Sequence, residues 1–339
     1  MHSGMKRTFG WMSAVVLSFF LTPAGAQELP DSVVKAAQKE GELTYYSAVD
    51  EGQTKMLVEM FSKKYGIKGT YLRLVSGQLV QRFITENDNN SNIADVVLDS
   101  GPLSFKLHPQ YFVPLDAELL PNLAKWSKQW IDPRSVTVLT SPMVVTYNTD
   151  MVAAAEVPKT WRETADPKWK GKILLTDPRT SETYLGWLAK MESAVGADFV
   201  KALAAQNFTV IASGASGVQM IAAGAFPLNF PTYASFGIQL KAKQAPIESL
   251  VMKGPTIVSQ SSMGIPSHAK HPNVARLFAN FLMSDEAISA VCKAYPASTP
   301  RDPDGKLGCV ALTDPQLVDY VVDEKRKLEL IQLIGLASR

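Results

Sequence analysis

Two rhythms alternate along this chain. Short apolar runs that end in small polar residues are followed by stretches whose apolar residues recur every three or four positions, a strand-then-helix pattern. Asp31 to Lys39 reads as a short helix through Val33, Val34 and Ala37, ended by Gly41. Leu43 to Ser47 reads as a strand, followed by a helix carrying Met56, Leu57, Met60 and Phe61 and closed by Gly66. Thr70 to Val75 is the next strand, and Ser76-Gly77 opens a helix with Leu79, Val80, Phe83 and Ile84. After the polar run Glu86 to Asn92, Ile93 to Leu98 is a third strand leading to Asp99-Ser100-Gly101. This β-α-β-α-β order predicts a mostly parallel sheet with right-handed crossovers.

The second half repeats the design. Ile173 to Leu175 is a short strand broken by Asp177-Pro178, with Thr180 or Ser181 placed to cap a helix through Leu185 and Leu188. Asp198 is expected to cap a helix to Ala205, Phe208 to Ala212 is a strand, and Ser213 to Ser216 opens a helix stopped by Gly224. Ala225 to Phe230 is a further strand. Two long apolar stretches, Val136 to Tyr147 and Pro255 to Ile265, read as strands crossing between two α/β lobes. The strong helix Val274 to Met283 follows, and two helices are expected after Asp314. The expected organisation is discontinuous, with residues 27–134 and 255–290 in lobe 1 and 135–254 in lobe 2. Residues 291–339 are expected to supply C-terminal helices that pack across both lobes, and hinge motion can close such lobes around a ligand.

In open α/β sheets, ligands bind outside the carboxyl ends of the strands. The exits here hold Ser47, Ser76, Asp99 and Ser100 in the first half and Thr180, Ser181, Ser213, Ser216 and Asn229 in the second. Leu175 to Leu188 has a further property: strand, polar turn and capped helix form a geometry that receives anions, and Arg179 adds a fork of donors. The competing explanation is structural, since Ser, Thr and Asp cap helices without touching any ligand.

Composition narrows the setting. Lys6 and Arg7, the apolar run Trp11 to Leu21 and the small residues Ala24-Gly25-Ala26 have the form of a secretory leader, so residues 1–26 are expected to be removed after Ala26. No later apolar run is long enough to span a bilayer. The net charge of +2 falls to near neutrality without Lys6 and Arg7, which excludes a general nucleic-acid binder. Cys292 and Cys309 are the only cysteines, and an oxidising compartment favours a disulfide between them. Two free buried thiols are the alternative, while zinc lacks a histidine pair at ligand spacing beside either one.

Several short motifs, taken in order, resemble the type II periplasmic solute-binding proteins of ABC importers, in particular their ferric-ion-binding-like branch. They are Gly41-Glu-Leu-Thr-Tyr-Tyr-Ser47, Phe61-Ser-Lys-Lys-Tyr-Gly-Ile67, Ala94-Asp-Val-Val97, Val145-Thr-Tyr-Asn148, Thr176-Asp-Pro-Arg-Thr-Ser181 and His271 to Leu282. The resemblance implies a monomeric periplasmic receptor that docks on an inner-membrane ABC permease with its ATPase and uses no cofactor. Ferric binders of this branch use an adjacent tyrosine pair where this chain has Pro231-Thr-Tyr-Ala-Ser-Phe236. Only Tyr233 is a phenol there, and Ser47-Ala-Val-Asp-Glu51 offers carboxylates but no histidine. Hard Fe(III) favours several phenolate and carboxylate oxygens, so iron held by Tyr233 stays the alternative to a small organic anion. In the family, the turns matching Thr180-Ser181 and Ser213 to Ser216 often hold such an anion. Tyr45, Tyr147, Phe230 and Tyr233 are candidates to cover its apolar part, with core packing as the competing role.

Enzyme signatures are weak. Ser267-His-Ala-Lys270 matches Ser-x-x-Lys, but the Ser-Asp-Asn and Lys-Thr-Gly companions are missing, which leaves an exported serine hydrolase as the different-class alternative. His268 and His271 are followed at once by Pro272 and have no acid nearby to complete a metal site.

Overall fold

The computed structural model describes Met1 and residues 28–74, 76–295, 299–302, 304–312, 315–318 and 320–337. The expected leader, apart from Met1, and Val75 at the end of the second expected strand lie outside the described residues. No helix among the described residues is long and apolar enough to cross a membrane.

Helix α1 (Asp31–Glu40) ends on Gly41, whose φ of 77° is open to glycine but costly for residues with a Cβ. Strand β1 (Glu42–Ser47), α2 (Glu51–Tyr65), β2 (Lys68–Arg73), α3 (Ser76–Asp88) and β3 (Val96–Asp99) then form the expected alternation, with β1 parallel to both β2 and β3. Short α4 (Leu103–Leu107) and β4 (Ile131–Asp132) lead to β5 (Ser135–Asn148). The second set is β6 (Ile173–Thr176), α5 (Glu182–Ala194), α6 (Ala197–Ala204), β7 (Thr209–Ile211), α7 (Gly214–Ala222), β8 (Leu228–Tyr233), α8 (Ile238–Ala242) and β9 (Ile247–Leu250). The chain returns through β10 (Thr256–Gly264) to α9 (Pro272–Leu282) and α10 (Asp285–Ala294), then ends in β11 (Pro315–Leu317) and α11 (Glu324–Leu333).

The described strands run in the order β2-β1-β3-β10-β5-β8-β6-β7, one curled sheet flanked by helices. Strand β5 belongs to both halves. Val136 to Pro142 pair with β10, and Met143 to Tyr147 pair with β8. Two apolar cores flank this junction. In the first, Tyr45, Phe61, Phe278 and Phe281 pack edge to face, tilted or stacked, with Tyr45 and Phe278 centroids 4.9 Å apart. In the second, Trp161 and Trp187 meet edge-on at 5.6 Å beside Phe230. Helix α9 takes its cap from another helix: Glu40, the last residue of α1, accepts from the N–H groups of Asn273 and Val274.

Two expected elements differ. Helix α6 starts before Asp198, because Gly196 at φ 121° makes the turn and Asp198 pairs instead with Arg162 at 2.8 Å. Beyond residue 314 there is one helix among the described residues rather than two. Pro315 to Leu317 pairs with β10 along Thr256 to Val258, where the backbone of β10 offers free ladder positions.

Cys292 on α10 is bonded to Cys309, and both are buried in the first core. The bond closes a loop with a sequence separation of 17. Removing it frees the unfolded chain, so Cys292→Ser with Cys309→Ser is expected to lower unfolding free energy by about 3 kcal/mol. Urea denaturation of the double variant, beside reduced wild type, checks this; equal midpoints for oxidised and reduced protein would rule it out.

Candidate functional site

A cleft of about 310 Å³ opens over the stretch where β5 changes partner. Its floor is Leu139, Ser141 and Pro142 of β5 with Ser259, Gln260 and Ser261 of β10. One wall is built from Ala48 to Asp50, Gln53, Arg73, Ser76, Ser100 and Tyr295. The other wall is Ser181, Thr183 and Tyr184 at the start of α5, with Tyr233 to Phe236 after β8.

Local sequence sets each wall. Asp50 caps α2 by accepting from the Gln53 N–H at 3.2 Å, which turns the chain sharply out of β1. Ser181 caps α5 in the same way, accepting from the Tyr184 N–H at 3.2 Å. Arg73 leaves β2 with its Nε donating to the Val49 carbonyl at 3.0 Å. Among the described residues its two Nη groups meet no carboxylate, so its charge is available to the cleft. The floor is polar although buried. Gln260 Nε2 donates to Thr137 Oγ1 at 3.1 Å, Thr137 and Ser262 hydroxyls lie 3.0 Å apart, and Ser259 donates to the Ser141 carbonyl at 3.4 Å.

Tyrosines gather at the second wall. Burial, first, and then the neighbouring Tyr184 and Tyr320 push the Tyr233 phenol well above its ordinary value, partly offset by a bond to Ser259. Burial also raises Tyr184 and Tyr320. Tyr320 Oη accepts from the Gln260 N–H at 2.8 Å, and its ring lies against Gly101, where a Cβ would come within 2.9 Å of it. These phenols stay protonated near neutral pH and act as neutral hydrogen-bonding groups.

Of the residues singled out in the sequence, Ser76, Ser100, Ser181 and Tyr233 line this cleft. The others sit elsewhere. Ser47 is buried under α2 and accepts from Thr54 Oγ1 at 2.9 Å. Asp99 closes its own turn, accepting from the Ser100 N–H and the Ser104 hydroxyl at 2.7 Å each. Tyr147, Tyr45 and Phe230 are core residues. Thr180 donates to the Asp177 carbonyl, and Ser213 caps α7 by accepting from the Ser216 N–H while the two hydroxyls meet at 2.9 Å. Asn229 is fully buried, its amide on the Leu174 carbonyl at 3.1 Å. Arg179 grips Asp177 through Nε and Nη2, and its Nη1 donates to the Leu336 carbonyl at 3.2 Å, so its fork ties the C-terminal segment to the turn.

Lining residues absent from the sequence-derived set are Gln53, Arg73, Ser141, Thr183, Tyr184, Ser259 to Ser261 and Tyr295. Two signals for them were present: Ser259-Gln-Ser-Ser262 is a polar run inside an apolar crossing strand, and Arg73 is a charge at a strand exit. Gln53, Thr183 and Tyr184 lie within the first turns of helices, where nothing in the spacing separates a lining residue from a packed one.

The sequence profile of the bacterial extracellular solute-binding proteins matches residues 91–308. The Fe(3+)-binding periplasmic protein of Serratia marcescens is 27% identical over 165 residues, which span 47% of this chain and 44% of that protein. The substrate-binding protein of the ABC transporter from Agrobacterium tumefaciens superposes with a TM-score of 0.73 at 18% identity, over 88% of this chain and 94% of that one. The fructose-6-phosphate-bound periplasmic binding protein AfuA of Actinobacillus pleuropneumoniae superposes at 0.63 with 19% identity, over 88% and 99%. These structures share a two-lobed fold with this chain.

The Asp177–Arg179 pair generates a stability prediction. Burial would raise the Asp177 carboxyl, but the Arg179 guanidinium and its backbone N–H outweigh burial and hold it below the usual carboxylate range. A carboxyl depressed in the folded state stabilises above its unfolded pKa, and that contribution is lost as pH falls through the folded value. Asp177→Asn and Arg179→Ala are each expected to cost about 1–2 kcal/mol at neutral pH, since the pair is partly open to solvent, and the double variant little more. The gap between wild type and Asp177→Asn closes as pH is lowered into the acid range. Chemical denaturation at neutral and acid pH measures it; a pH-independent gap would remove Asp177 as its source.

Proposed function

The chain belongs to the bacterial extracellular solute-binding proteins, the substrate-binding components of ABC transporters, and we propose that it captures a small organic anion between its lobes in the periplasm. The observation that carries this reading is the convergence of the starts of α3 and α5 and one guanidinium on one cleft. Helix α3 starts at Ser76 and α5 beside Ser181, and Arg73 stands on the first wall, where it faces the Asp50 carboxylate that already caps α2. Helix starts carry unpartnered N–H groups and partial positive charge, which suits carboxylate or phosphate oxygens. The hydroxyls of Ser100, Ser141, Ser235, Ser259 and Ser261 suit a polar, oxygen-rich body, and Tyr233 and Phe236, edge-on at 5.5 Å, suit its apolar face.

Members of this family bind and deliver solutes without chemistry. The leader-like segment supports export, with cleavage after Ala26 as the proposed processing site. The monomer would present the loaded, closed lobes to a membrane permease and its ATPase.

Ferric ion is the second reading, favoured by the likeness to the Serratia protein and by Tyr184, Tyr233 and Tyr320 lying close together. Iron would require phenols to lose protons that burial makes them hold. Native mass spectrometry of protein as purified separates the two. A bound organic acid or phosphate ester lost on denaturation is expected. Bound iron with a visible phenolate-to-iron absorption would replace the anion reading. Arg73→Ala is expected to weaken binding of the identified anion by about tenfold, the worth of one charge-assisted hydrogen bond. An unchanged dissociation constant by calorimetry would take Arg73 out of the site.

A further inference from the structure

Of the side chains that line the cleft among the described residues, only Arg73 and Asp50 carry a formal charge, and both stand on the first wall. A backbone contact sets them side by side: Arg73 Nε donates at 3.0 Å to the carbonyl of Val49, the residue before Asp50. They do not pair. Among the described residues the Arg73 guanidinium meets no carboxylate and the Asp50 carboxylate meets no cationic side chain. Neutral donors hold Asp50 instead. Its Oδ1 accepts from the Gln53 N–H at 3.2 Å, and the Tyr295 hydroxyl lies against it. Burial, first, and then the Asp50 charge and a hydrogen bond to it raise the Tyr295 phenol above its ordinary value, so it stays protonated and donates. A Cβ at residue 52 would come within 2.5 Å of Tyr295 Oη and 3.1 Å of Asp50 Oδ1, so Gly52 leaves the room in which the phenol reaches the carboxylate. An N–H and a phenol orient a carboxylate without cancelling its charge. The first wall therefore presents one fixed positive and one fixed negative group, each without a counter-ion of its own.

We propose that the ligand is an amino-bearing anion, with a carboxylate or phosphate group set toward Arg73 and a protonated amine set toward Asp50. The proposal rests on the anion reading of the same cleft and narrows it. The charges lining the cleft sum to zero. A ligand made only of oxyanions gains Arg73 but is repelled by Asp50, and a polyamine gains Asp50 but is repelled by Arg73. A compound with both groups a few bonds apart matches both residues, and a further oxyanion on it suits the start of α5 beside Ser181 on the other wall. Acidic amino acids and their phosphorylated relatives have this chemistry. Asp50 thus sets specificity largely by what it repels, and the discrimination grows as closure excludes water.

The test is calorimetric titration of the mature protein and its Asp50→Asn variant with matched compounds that differ at the amine: aspartate against succinate, glutamate against glutarate, and O-phosphoserine against 3-phosphoglycerate. Asparagine caps a helix about as well as aspartate, so Asp50→Asn removes the charge while keeping the start of α2, and it is expected to melt close to wild type. The expected result is that at least one amino compound binds wild type about tenfold or more tightly than its amine-free counterpart, and that Asp50→Asn narrows this preference to within about twofold. The wild-type comparison stands by itself even if the variant folds poorly. If an amine-free compound binds wild type as tightly as its amino counterpart, or if Asp50→Asn leaves the preference intact, the proposal is overturned and the anion reading stands. If none of these compounds binds wild type at millimolar concentration, both fall together.

Discussion

Strands β5 and β10 lie antiparallel through the middle of the molecule, and their ladder is the constraint that everything else must respect. Both are buried along nearly their whole length, so each backbone N–H and C=O on them needs a partner from another strand. On the first side β10 also pairs with β3, on the second β5 pairs with β8 and β9, and β11 fills further positions on β10. Pro142 marks the changeover. It has no N–H to offer, so the ladder to β10 runs out there without leaving an orphaned donor. The same two strands therefore join two cores and form the floor between them, and a cleft at that place follows from the topology.

A buried floor of Ser, Thr and Gln is expensive unless its groups bond one another. Thr137, Ser262 and Gln260 form such a set, and Tyr320 from the C-terminal segment accepts from the Gln260 backbone. That segment leaves the first core at Cys309, adds β11 to β10, places Val318 and Tyr320 against the second core and ends in α11, where Arg326 pairs with Glu192 of α5 at 2.6 Å. The Arg179 contact to Leu336 belongs to the same tie. The C-terminal chain thus makes a third passage between the cores.

Much of the fold was legible because hydrophobic period is a property of the local sequence. The apolar face of α9 through Phe278, Phe281 and Leu282, the two long crossing strands and the capped start of α5 all announce themselves within a few residues. The C-terminal strand did not, because Pro315 to Leu317 is extended only by virtue of the edge that β10 presents to it. The site was legible to the level of strand exits and no finer. Ser213, Ser216, Thr180 and Asp99 are of residue types that can either cap turns or bind ligands, and in each the nearest backbone group claims the side chain first. Arg179 shows the same rule for a charge: a carboxylate two residues away in a turn is a nearer partner than any solute. Gln53 and Tyr184 line the cleft because of how two helices are set against one another, which no local pattern encodes.

The division of labour in the cleft has a physical consequence for transport. A receptor must hold its solute in a dilute compartment and still release it when the lobes are parted. Donors fixed on separate lobes serve both ends, since each contributes on the order of 1 kcal/mol when water is excluded and the geometry is met, and both are forfeited together when the walls separate. A ligand gripped wholly by one lobe through a buried ion pair would gain nothing from closure and lose nothing on opening. Here Arg73 stands on one wall, Ser181 on the other, and the shared floor carries neutral side chains, so donors on both walls would make affinity a function of the hinge. A ligand shifts an equilibrium only by its differential affinity for the two states, so binding can drive closure only where both walls contribute contacts.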